Sequence, residues 1–350
     1  MKIIRHDSTN PYFNLAAEEY LIDNFNDDAV MLWRNDNTVV IGKNQNALEE
    51  INTDFVEKQG IRLVRRLTGG GAVFHDLGNV NYTIIQRDNG ELFSNYAYFT
   101  GAVRDFLQSL GVHAELSGRN DMLIDGMKFS GNAQCSRNGK IMHHGTLMFS
   151  TDVSDIAESL TPDARKLASK SVKSVRSRVT NISAHLPAGC AAHEKGVLTG
   201  GRPMSVEDFL QNLYTFFTEH FAEYSSGNVA SVEEYVLSDA DMARIQKLAD
   251  EKYSTWQWNY GAAPKYEWKA SHKYDFGLVD IRLNVKKGII DEAAIYGDFF
   301  GTRDAAELAA LLVGVEHKRE SVLAALCDGP DMGQYIYGMS PEQLAELICG

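Results

Sequence analysis

Apolar residues recur at helical spacing in several parts of the chain and cluster in short β-branched runs in others. This pattern predicts helices over residues 13–23 and 98–110, and a third that begins at the cap Ser205 with Asp208 three residues on. The aromatic stripes of these helices are expected to pack in the core. Strands are predicted over residues 38–42, 61–64 and 81–85. Alternation of strand-like and helix-like segments in the first half therefore predicts a mixed α and β architecture.

A second pattern begins at Tyr253, after a domain boundary that we place near residue 246. Residues 233–252 are charged and are predicted to be helical. Residues 275–285 alternate, Lys287-Gly288 is typical of a turn, and residues 289–300 return as a strand. Thr302 is predicted to cap a helix rich in Ala and Leu. We therefore expect two domains, residues 1–245 and a small α+β module over residues 246–350.

Composition excludes several classes of protein. The 350 residues carry 34 basic and 47 acidic side chains, a net charge of −13, which argues against general binding to nucleic acids or anionic membranes. No apolar run approaches the roughly 18 residues of a membrane span, and no signal peptide is evident. The four cysteines lack zinc-ribbon spacing. Free thiols and a cytoplasmic location are expected.

The stretch RRLTGGGAVFHDLGNVNYT, residues 65–83, is the strongest candidate for ligand chemistry. Consecutive glycines let backbone N–H groups approach a ligand, and a row of such groups binds anions. Arg65 and Arg66 are expected to place positive charge at its mouth, where guanidinium groups bind phosphate or carboxylate. The residues suggest a site for an anionic ligand such as a nucleotide. A glycine-rich surface turn between two strands is the alternative.

Two common phosphate motifs are absent from the sequence. Gly126 and Gly131 have the spacing of a P-loop, but Asn132 and Ala133 stand where it requires lysine and a hydroxyl residue. The third glycine of a dinucleotide-binding fingerprint that starts at Gly69 would fall at Phe74. A nucleotide site in this chain must therefore be of another kind.

Residues 118–134, GRNDMLIDGMKFSGNAQ, form a second candidate. Lys128 lies between small residues and could point at a bound anion, although an arbitrary lysine here is usually a solvated hairpin residue. Asp121 could help to hold Mg²⁺, which takes one or two carboxylates together with substrate phosphates.

Two further segments are of interest. In HHGTLMFS, residues 143–150, a strand is predicted to begin with two histidines, and because neighbouring side chains face opposite ways at most one can face a site. Residues 161–180 contain six basic residues against Asp163. Such a run is normally a solvated face, but a loop that closes over a polyphosphate is an alternative.

Taken together and in this order, these motifs closely resemble the lipoate–protein ligase A family. The resemblance runs through NPYFNLAAEEYL, LWRNDNTVVIGKNQN, RRLTGGGAVFHDLGN, HHGTLMF and KSVRSRVTN, over about residues 10–185. The region from YGAAPKYEW onwards resembles the accessory domain of the family more weakly. The resemblance implies the α+β fold of lipoate/biotin protein ligases, a mixed sheet with packed helices, followed by a smaller α+β accessory domain.

The resemblance also implies an activity. Members activate lipoate with ATP to lipoyl-AMP, release pyrophosphate, and transfer the lipoyl group to a lysine of a lipoyl domain, as in 2-oxoacid dehydrogenase E2 subunits or the glycine-cleavage H protein. Lys128 is implied as the catalytic contact to both the lipoate carboxyl group and the α-phosphate, and Asp121 as the Mg²⁺ contact. Residues implied in ATP binding are Arg66, Gly71, Ala72, Val73, Phe74, Lys128, Lys170, Arg176 and Arg178. Residues implied in lipoate binding are Lys128, Arg66, Gly69, Gly70, Gly71, His75, His144, Leu15 and Trp33.

Three alternatives remain open at this point. Related octanoyl- and lipoyl-transferases use a cysteine and no ATP, and Cys135 lies close to Lys128 in sequence. A non-catalytic lipoate-binding protein is a second alternative, and a biotin ligase is a third, which the motifs favour less. A monomer is expected.

Overall fold

The computed structural model describes residues 1–118, 120–152, 159–160, 179–187, 193–194, 197–198, 203–224, 231–260 and 268–349. Its strands are β1 Lys2–Arg5, β2 Ala29–Trp33, β3 Thr38–Ile41, β4 Arg62–Arg65, β5 Val73–His75, β6 Asn79–Arg87, β7 Glu115–Ser117, β8 Asp121–Ile124, β9 Met127–Arg137, β10 Lys140–Met148, β11 His193–Glu194, β12 Val197–Leu198, β13 Glu233–Glu234, β14 Trp268–Tyr274, β15 Gly277–Lys286 and β16 Ile289–Gly297.

The helices in these ranges are α1 Pro11–Asn24, α2 Ala47–Glu50, α3 Thr53–Lys58, α4 Tyr96–Ser109, α5 Val206–His220, α6 Asp239–Leu248, α7 Trp256–Asn259, α8 Ala305–Leu312, α9 Arg319–Cys327 and α10 Pro341–Cys349. A π-helical turn, Ala249–Tyr253, continues α6, and short 3₁₀ turns cover Ile182–His185, Phe221–Tyr224 and Met332–Gln334. None of the helices in the described ranges has the length and apolar character that a bilayer span requires.

An eight-stranded mixed sheet forms the centre of the larger part of the chain. Its order is β13-β1-β2-β6-β10-β9-β8-β7. Strand β1 runs parallel to β2 and β13. The other neighbouring pairs of this sheet, β2-β6, β6-β10, β10-β9, β9-β8 and β8-β7, are antiparallel. A second, three-stranded sheet has the order β4-β3-β5. The mixed sheet expected from the sequence is confirmed.

Both faces of the main sheet are buried, and neighbouring side chains on its central strands point alternately into one apolar cluster or the other. On one face Val30 and Leu32 belong to an apolar cluster with the aromatic stripes of α4 and α5. On the other face Ala29, Met31 and Trp33 pack with α1 and the second sheet. Each fully buried large apolar side chain stabilises the fold by roughly 1.5–3 kcal/mol. The cavity of the candidate site lies on the face of the sheet that packs against α1.

Local signals explain where the helices begin. The Asn10 side chain accepts a hydrogen bond from the Tyr12 N–H group, and Pro11 occupies the first turn of α1. Ser205 and Asp208 form a complete capping box at α5, as predicted. The three helices predicted over residues 13–23, 98–110 and after Ser205 are confirmed.

The C-terminal part contains its own antiparallel sheet, β14-β15-β16, with a core shared with α8, α9 and α10. The predicted turn between β15 and β16 is confirmed, because Lys287 and Gly288 have φ values of 52° and 79°.

Three local predictions differ from the structure. Residues 233–252 are not one helix, because β13 adds to the main sheet and Ser238 starts α6 with a capping box. Thr302 is not the cap of α8; Asp304 accepts from the Ala306 N–H group instead. The two histidines of HHGTLMFS do not begin their strand, since β10 starts at Lys140.

Residues 245–260 pack against the larger part of the chain. Ile245, Ala249 and Tyr253 belong to the apolar cluster of α1. The Glu19 carboxylate accepts hydrogen bonds from Lys252 Nζ at 2.7 Å and from the Tyr253 hydroxyl at 2.7 Å. Beyond this segment the small sheet meets the larger part directly, where the Gly297 N–H group donates to the Asn44 carbonyl at 2.8 Å.

Candidate active site

A cavity of about 130 Å³ opens where α1, the main sheet and the second sheet meet. Most of the residues implied from the sequence line it. The lining residues are Leu15, Trp33, Val40, Arg66, Gly70, Gly71, Ala72, Val73, His75, Asn81, Asn120, Lys128, Gly131, Asn132, Ala133, His144, Gly145 and Thr146.

The glycine loop, residues 68–72, packs closely against other backbone at Gly69, where a larger residue would not fit. A Cβ atom on Gly69 would lie 2.2 Å from the carbonyl oxygen of Phe299, in the C-terminal part. Gly70 has a φ of 91°, in the left-handed region. A Cβ atom on Gly71 would meet nothing within 4 Å, so this residue faces open space in the cavity.

Arg66 brings a buried positive charge to the wall of the cavity. Its guanidinium group donates to the carbonyls of Gly69 at 2.7 Å and Gly71 at 2.8 Å, and to the Thr68 hydroxyl at 2.9 Å. Burial lowers its pKa to about 10, so the group is still cationic at neutral pH. No carboxylate lies within ion-pair distance of it in the ranges the structure describes. A buried cation without a direct ion-pair partner favours an anionic ligand.

Arg65 does not contribute charge to this cavity, contrary to the sequence expectation. Its N–H groups donate to five backbone carbonyls, those of Gly42, Lys43, Gln45, Trp258 and Asn259. Pairing with β3 continues one residue past the end of β4, since the Arg66 N–H group donates to the Ile41 carbonyl at 3.0 Å, so the side chains of Arg65 and Arg66 point opposite ways. Arg65 therefore fastens the 42–45 loop and α7 to the second sheet.

Lys128 and Asp121 meet at the mouth of the cavity. They lie on the hairpin of β8 and β9, whose turn contains Asp125 and Gly126 with φ values of 51° and 75°. Lys128 Nζ is 2.7 Å from Asp121 Oδ1, and the side chains are 38% and 39% exposed. Gly131 leaves room for the ammonium group, since a Cβ atom there would be 3.2 Å from Lys128 Nζ. Lys128 is thus a solvent-accessible cation at the mouth, and Asp121 lies beside it without lining the cavity.

The two adjacent histidines face opposite sides of the sheet, as alternation requires. His144 lines the cavity, with Nδ1 2.8 Å from Glu18 Oε1 and Nε2 2.8 Å from Thr68 Oγ1. His143 lies on the opposite face, stacked on Phe99 with ring centroids 4.7 Å apart.

Two hydrogen-bond donors in the wall lack partners. Asn81 Nδ2 and His75 Nε2 are buried and make no hydrogen bond to any residue that the structure describes. Burial, reinforced by the charge of Arg66, lowers the pKa of His75 to about 3, so the ring is neutral at pH 7. Unpaired buried donors cost free energy unless a ligand or water satisfies them. They identify a position for an acceptor atom inside the cavity.

The remaining implied residues fall into three groups. Leu15 and Trp33, with Val40, form an apolar part of the wall. Gly69 packs against Phe299, and Phe74 turns its side chain into the apolar cluster of Val39 and Ile41, so neither lines the cavity. Lys170, Arg176 and Arg178 lie outside the described residues.

Sequence reasoning missed several polar residues of the site. The sequence motifs give no site role to Glu18, Asn81 or Asn132, and they include Asn120 only as part of the stretch 118–134, although all but Glu18 line the cavity. Glu18 is buried in α1, next to Leu15 in the motif NLAAEEYL. A carboxylate directly after the apolar run Leu15–Ala17, on a helix predicted to pack in the core, is the signal that the sequence offers.

Two sequence profiles match the chain. The Lipoyl protein ligase A/B catalytic domain covers residues 10–218, and the Bacterial lipoate protein ligase C-terminus covers residues 263–348. Among curated proteins, Lipoate-protein ligase LplJ of Bacillus subtilis is 41% identical over 341 residues, 97% of this chain and 97% of that protein.

Solved structures agree with these matches. The bipartite lipoate protein ligase of Thermoplasma acidophilum, described with its E2 lipoyl domain, is 27% identical with a TM-score of 0.62, over 76% of this chain and 98% of that one. A lipoate-protein ligase A bound with ATP is 26% identical with a TM-score of 0.60, over 75% of this chain and 99% of that one. With the cationic cavity and the mixed sheet, these matches show that the chain belongs to the lipoate–protein ligase family.

Proposed function

We propose that this chain joins lipoate to ATP in the cavity between α1 and the glycine loop and then transfers the lipoyl group to a lysine of a lipoyl domain. The observation that carries this proposal is the pairing of two cations, buried Arg66 and accessible Lys128, with an apolar wall in one cavity. Lipoate has this same division, an anionic carboxylate on an apolar tail.

The tail of lipoate would lie along Leu15, Trp33 and Val40, and its carboxylate would face Lys128. In the first step a carboxylate oxygen attacks the α-phosphorus of ATP, an O–P bond forms, and pyrophosphate leaves. Both reactants are anions, so cationic groups must offset their repulsion. Lys128 would contact the carboxyl oxygen and the α-phosphate, and Arg66 with the backbone of residues 71–74 would bind the nucleotide.

A divalent cation fits one side of this arrangement. The described residues contain no group of three side chains that could hold a metal alone. Mg²⁺ does not require one, because it accepts one or two carboxylates together with phosphates and water. Asp121, already 2.7 Å from Lys128, would supply that carboxylate beside the phosphates. When bound, Mg²⁺ would neutralise charge on the leaving pyrophosphate.

In the second step the amine of an acceptor lysine attacks the lipoyl carbonyl carbon, an amide bond forms, and AMP leaves. The acceptors we propose are lipoyl domains of 2-oxoacid dehydrogenase E2 subunits and the glycine-cleavage H protein. Support comes from the family and from the E2 lipoyl domain described with the Thermoplasma ligase. We place the reaction in the cytoplasm, with the enzyme as a monomer.

Pyrophosphate release in the presence of ATP, Mg²⁺ and lipoate, without an acceptor protein, tests this proposal. We expect release that depends on lipoate, because adenylation precedes transfer. A control without lipoate corrects for hydrolysis of ATP. A folded sample that forms lipoyl-lysine on a lipoyl domain without ATP, and releases no pyrophosphate, would contradict it.

A further inference from the structure

Helix α1 presents two buried polar residues, Asn14 and Glu18, toward the cavity, four positions apart and therefore one turn apart. Each begins a chain of hydrogen bonds that ends on a different histidine of the cavity wall. Donor and acceptor roles along both chains can be worked out, because each contains groups that can act in only one way.

The first chain fixes the proton of His75. Asn14 Nδ2 donates to the carbonyls of Ser8 at 3.1 Å and Arg34 at 2.8 Å, which can only accept. Asn14 Nδ2 shares its two hydrogens among these carbonyls and Asn35 Oδ1, which lies 2.9 Å away. If the Asn35 amide were turned the other way, two NH2 groups would face each other, so Asn35 keeps Oδ1 toward Asn14 and places Nδ2 3.1 Å from His75 Nδ1. An amide nitrogen only donates. His75 Nδ1 therefore accepts, and the proton of the neutral ring is on Nε2, the atom without a partner in the cavity.

The second chain fixes the proton of His144. Trp33 Nε1 can only donate, and it donates to Thr83 Oγ1 at 2.9 Å. The Thr83 hydroxyl then donates to Glu18 Oε1 at 2.6 Å, the same carboxylate oxygen that lies 2.8 Å from His144 Nδ1. Nδ1 is therefore the protonated nitrogen.

The other nitrogen of His144 continues this chain to the glycine loop. With the proton on Nδ1, Nε2 accepts from the Thr68 hydroxyl at 2.8 Å. Thr68 Oγ1 in turn accepts from Arg66 Nε at 2.9 Å. Glu18 is thus connected, through His144 and Thr68, to the buried cation of the cavity.

We propose that Asn14 and Glu18 are positioning residues that fix opposite tautomers in the two cavity histidines, so that His75 offers a donor to the ligand and His144 offers none. The His75 donor, with Asn81 Nδ2 in the wall of the same cavity, would bind an oxygen acceptor, a carboxylate or phosphate oxygen of the substrates or of the adenylate. The effect on catalysis rests on the proposed function; the tautomers do not.

Nitrogen-15 NMR of the ligand-free full-length protein, labelled at histidine, tests the tautomers directly. We expect His75 to be protonated at Nε2 and His144 at Nδ1. His143 serves as an internal reference. The oxygen of the Gln134 amide accepts from the Ser94 N–H group at 2.7 Å, so the nitrogen of the same amide is the atom that lies 3.0 Å from His143 Nδ1 and donates to it. His143 should carry its proton on Nε2. The opposite tautomer at His75 or His144 would overturn the proposal.

The variant Asn35→Asp tests the consequence for catalysis. A carboxylate of the same shape only accepts, so His75 Nδ1 should become protonated. We expect kcat/KM for lipoate-dependent pyrophosphate release to fall about tenfold, as for a lost hydrogen bond to a charged group. The control Asn37→Asp adds the same charge two residues away, at a side chain whose hydrogen bond within the described part of the chain goes to the Gln59 carbonyl, and should leave kcat/KM unchanged.

The variants separate the possible outcomes. A His75 proton that moves to Nδ1 while kcat/KM stays at the wild-type value would overturn the positioning role. His75→Gln, whose amide nitrogen can replace the Nε2 donor, should keep more activity than His75→Leu, and equal loss in both would also overturn it. If the wild type releases no pyrophosphate, the proposed function fails, but the tautomer measurement on the wild type is unaffected.

Discussion

Among single residues, Lys128 is the one whose removal should affect adenylation most. Its ammonium group lies at the mouth of the cavity, more than a third exposed and paired only with Asp121 among its described ion-pair partners. We expect Lys128→Ala to reduce lipoate-dependent pyrophosphate release by about 10²–10³-fold, the usual cost of losing one preorganised donor to developing charge. Single-turnover rates at saturating ATP measure this effect directly.

A matched variant distinguishes this effect from a general loss of lysine charge. Lys247 lies on α6, highly exposed, with Glu251 as its neighbour at 3.8 Å. Lys247→Ala should retain the wild-type rate. A Lys128→Ala rate close to wild type would contradict the role of Lys128 in adenylation.

Cys135 can be tested in the same assay. The thiol is buried, and burial raises its pKa to about 12, so almost none of it is thiolate at neutral pH. A cysteine in this state is a poor nucleophile. We expect Cys135→Ala to keep full ligation of a lipoyl domain, with a stability loss of about 1 kcal/mol from the small cavity created. Loss of transfer with adenylation intact would instead indicate a thioester intermediate on Cys135.

Residues of the site could be predicted from the sequence only where they belong to a local motif. Glycines beside arginines, and Lys128 between glycines, are visible as local patterns. Glu18 and Asn81 are not, because their positions in the site depend on partners distant in the sequence, His144 for Glu18 and Trp33 on the neighbouring strand for Asn81. Arg65 is a residue that the sequence wrongly predicts to lie in the site. Its sequence neighbours suggest an anion site, but in the structure its guanidinium group contacts backbone carbonyls.

At the scale of elements, the glycine loop depends on contacts that its own sequence does not reveal. Gly69 packs on the Phe299 carbonyl of the C-terminal part, whereas the Gly71 position is open. We expect Gly69→Ala to lower the free energy of unfolding by about 1–3 kcal/mol, because the added methyl group must displace backbone. Gly71→Ala should change it by less than about 0.5 kcal/mol. Denaturant titration of both variants measures the difference; equal stabilities would show that the loop and the C-terminal part are not packed as closely as described.

Secondary elements themselves were largely predictable, because caps and turns are local. Ser205 with Asp208, and Lys287 with Gly288, produce the expected capping box and hairpin turn. The failure over residues 233–252 has a different cause. Glu233 and Glu234 are polar and exposed, and they form a strand only because the edge of β1 is available to pair with them.

At the scale of the whole molecule, the position of the boundary between the two parts remains a prediction, and the contacts favour a later position than residue 246. Ile245, Ala249 and Tyr253 pack with α1, and Trp258 and Asn259 accept hydrogen bonds from Arg65. Periodicity could not reveal this, because the segment packs on a helix more than 200 residues earlier. We propose that residues 246–260 belong structurally to the larger part.

Two truncations test this proposal. Both residues 1–260 and residues 1–245 lack the C-terminal sheet, so its contacts with the glycine loop and with Asn44 are lost equally. Only the shorter chain also loses Tyr253, which is fully buried, and its hydrogen bond to Glu19. Loss of a buried aromatic side chain costs about 3–5 kcal/mol, and each kcal/mol lowers Tm by about 2–4 °C in a domain of this size. We therefore expect the 1–260 chain to melt cooperatively and the 1–245 chain to melt about 10 °C lower or to aggregate. Circular dichroism monitors the melting of both chains. Equal melting temperatures would place the boundary back at residue 246.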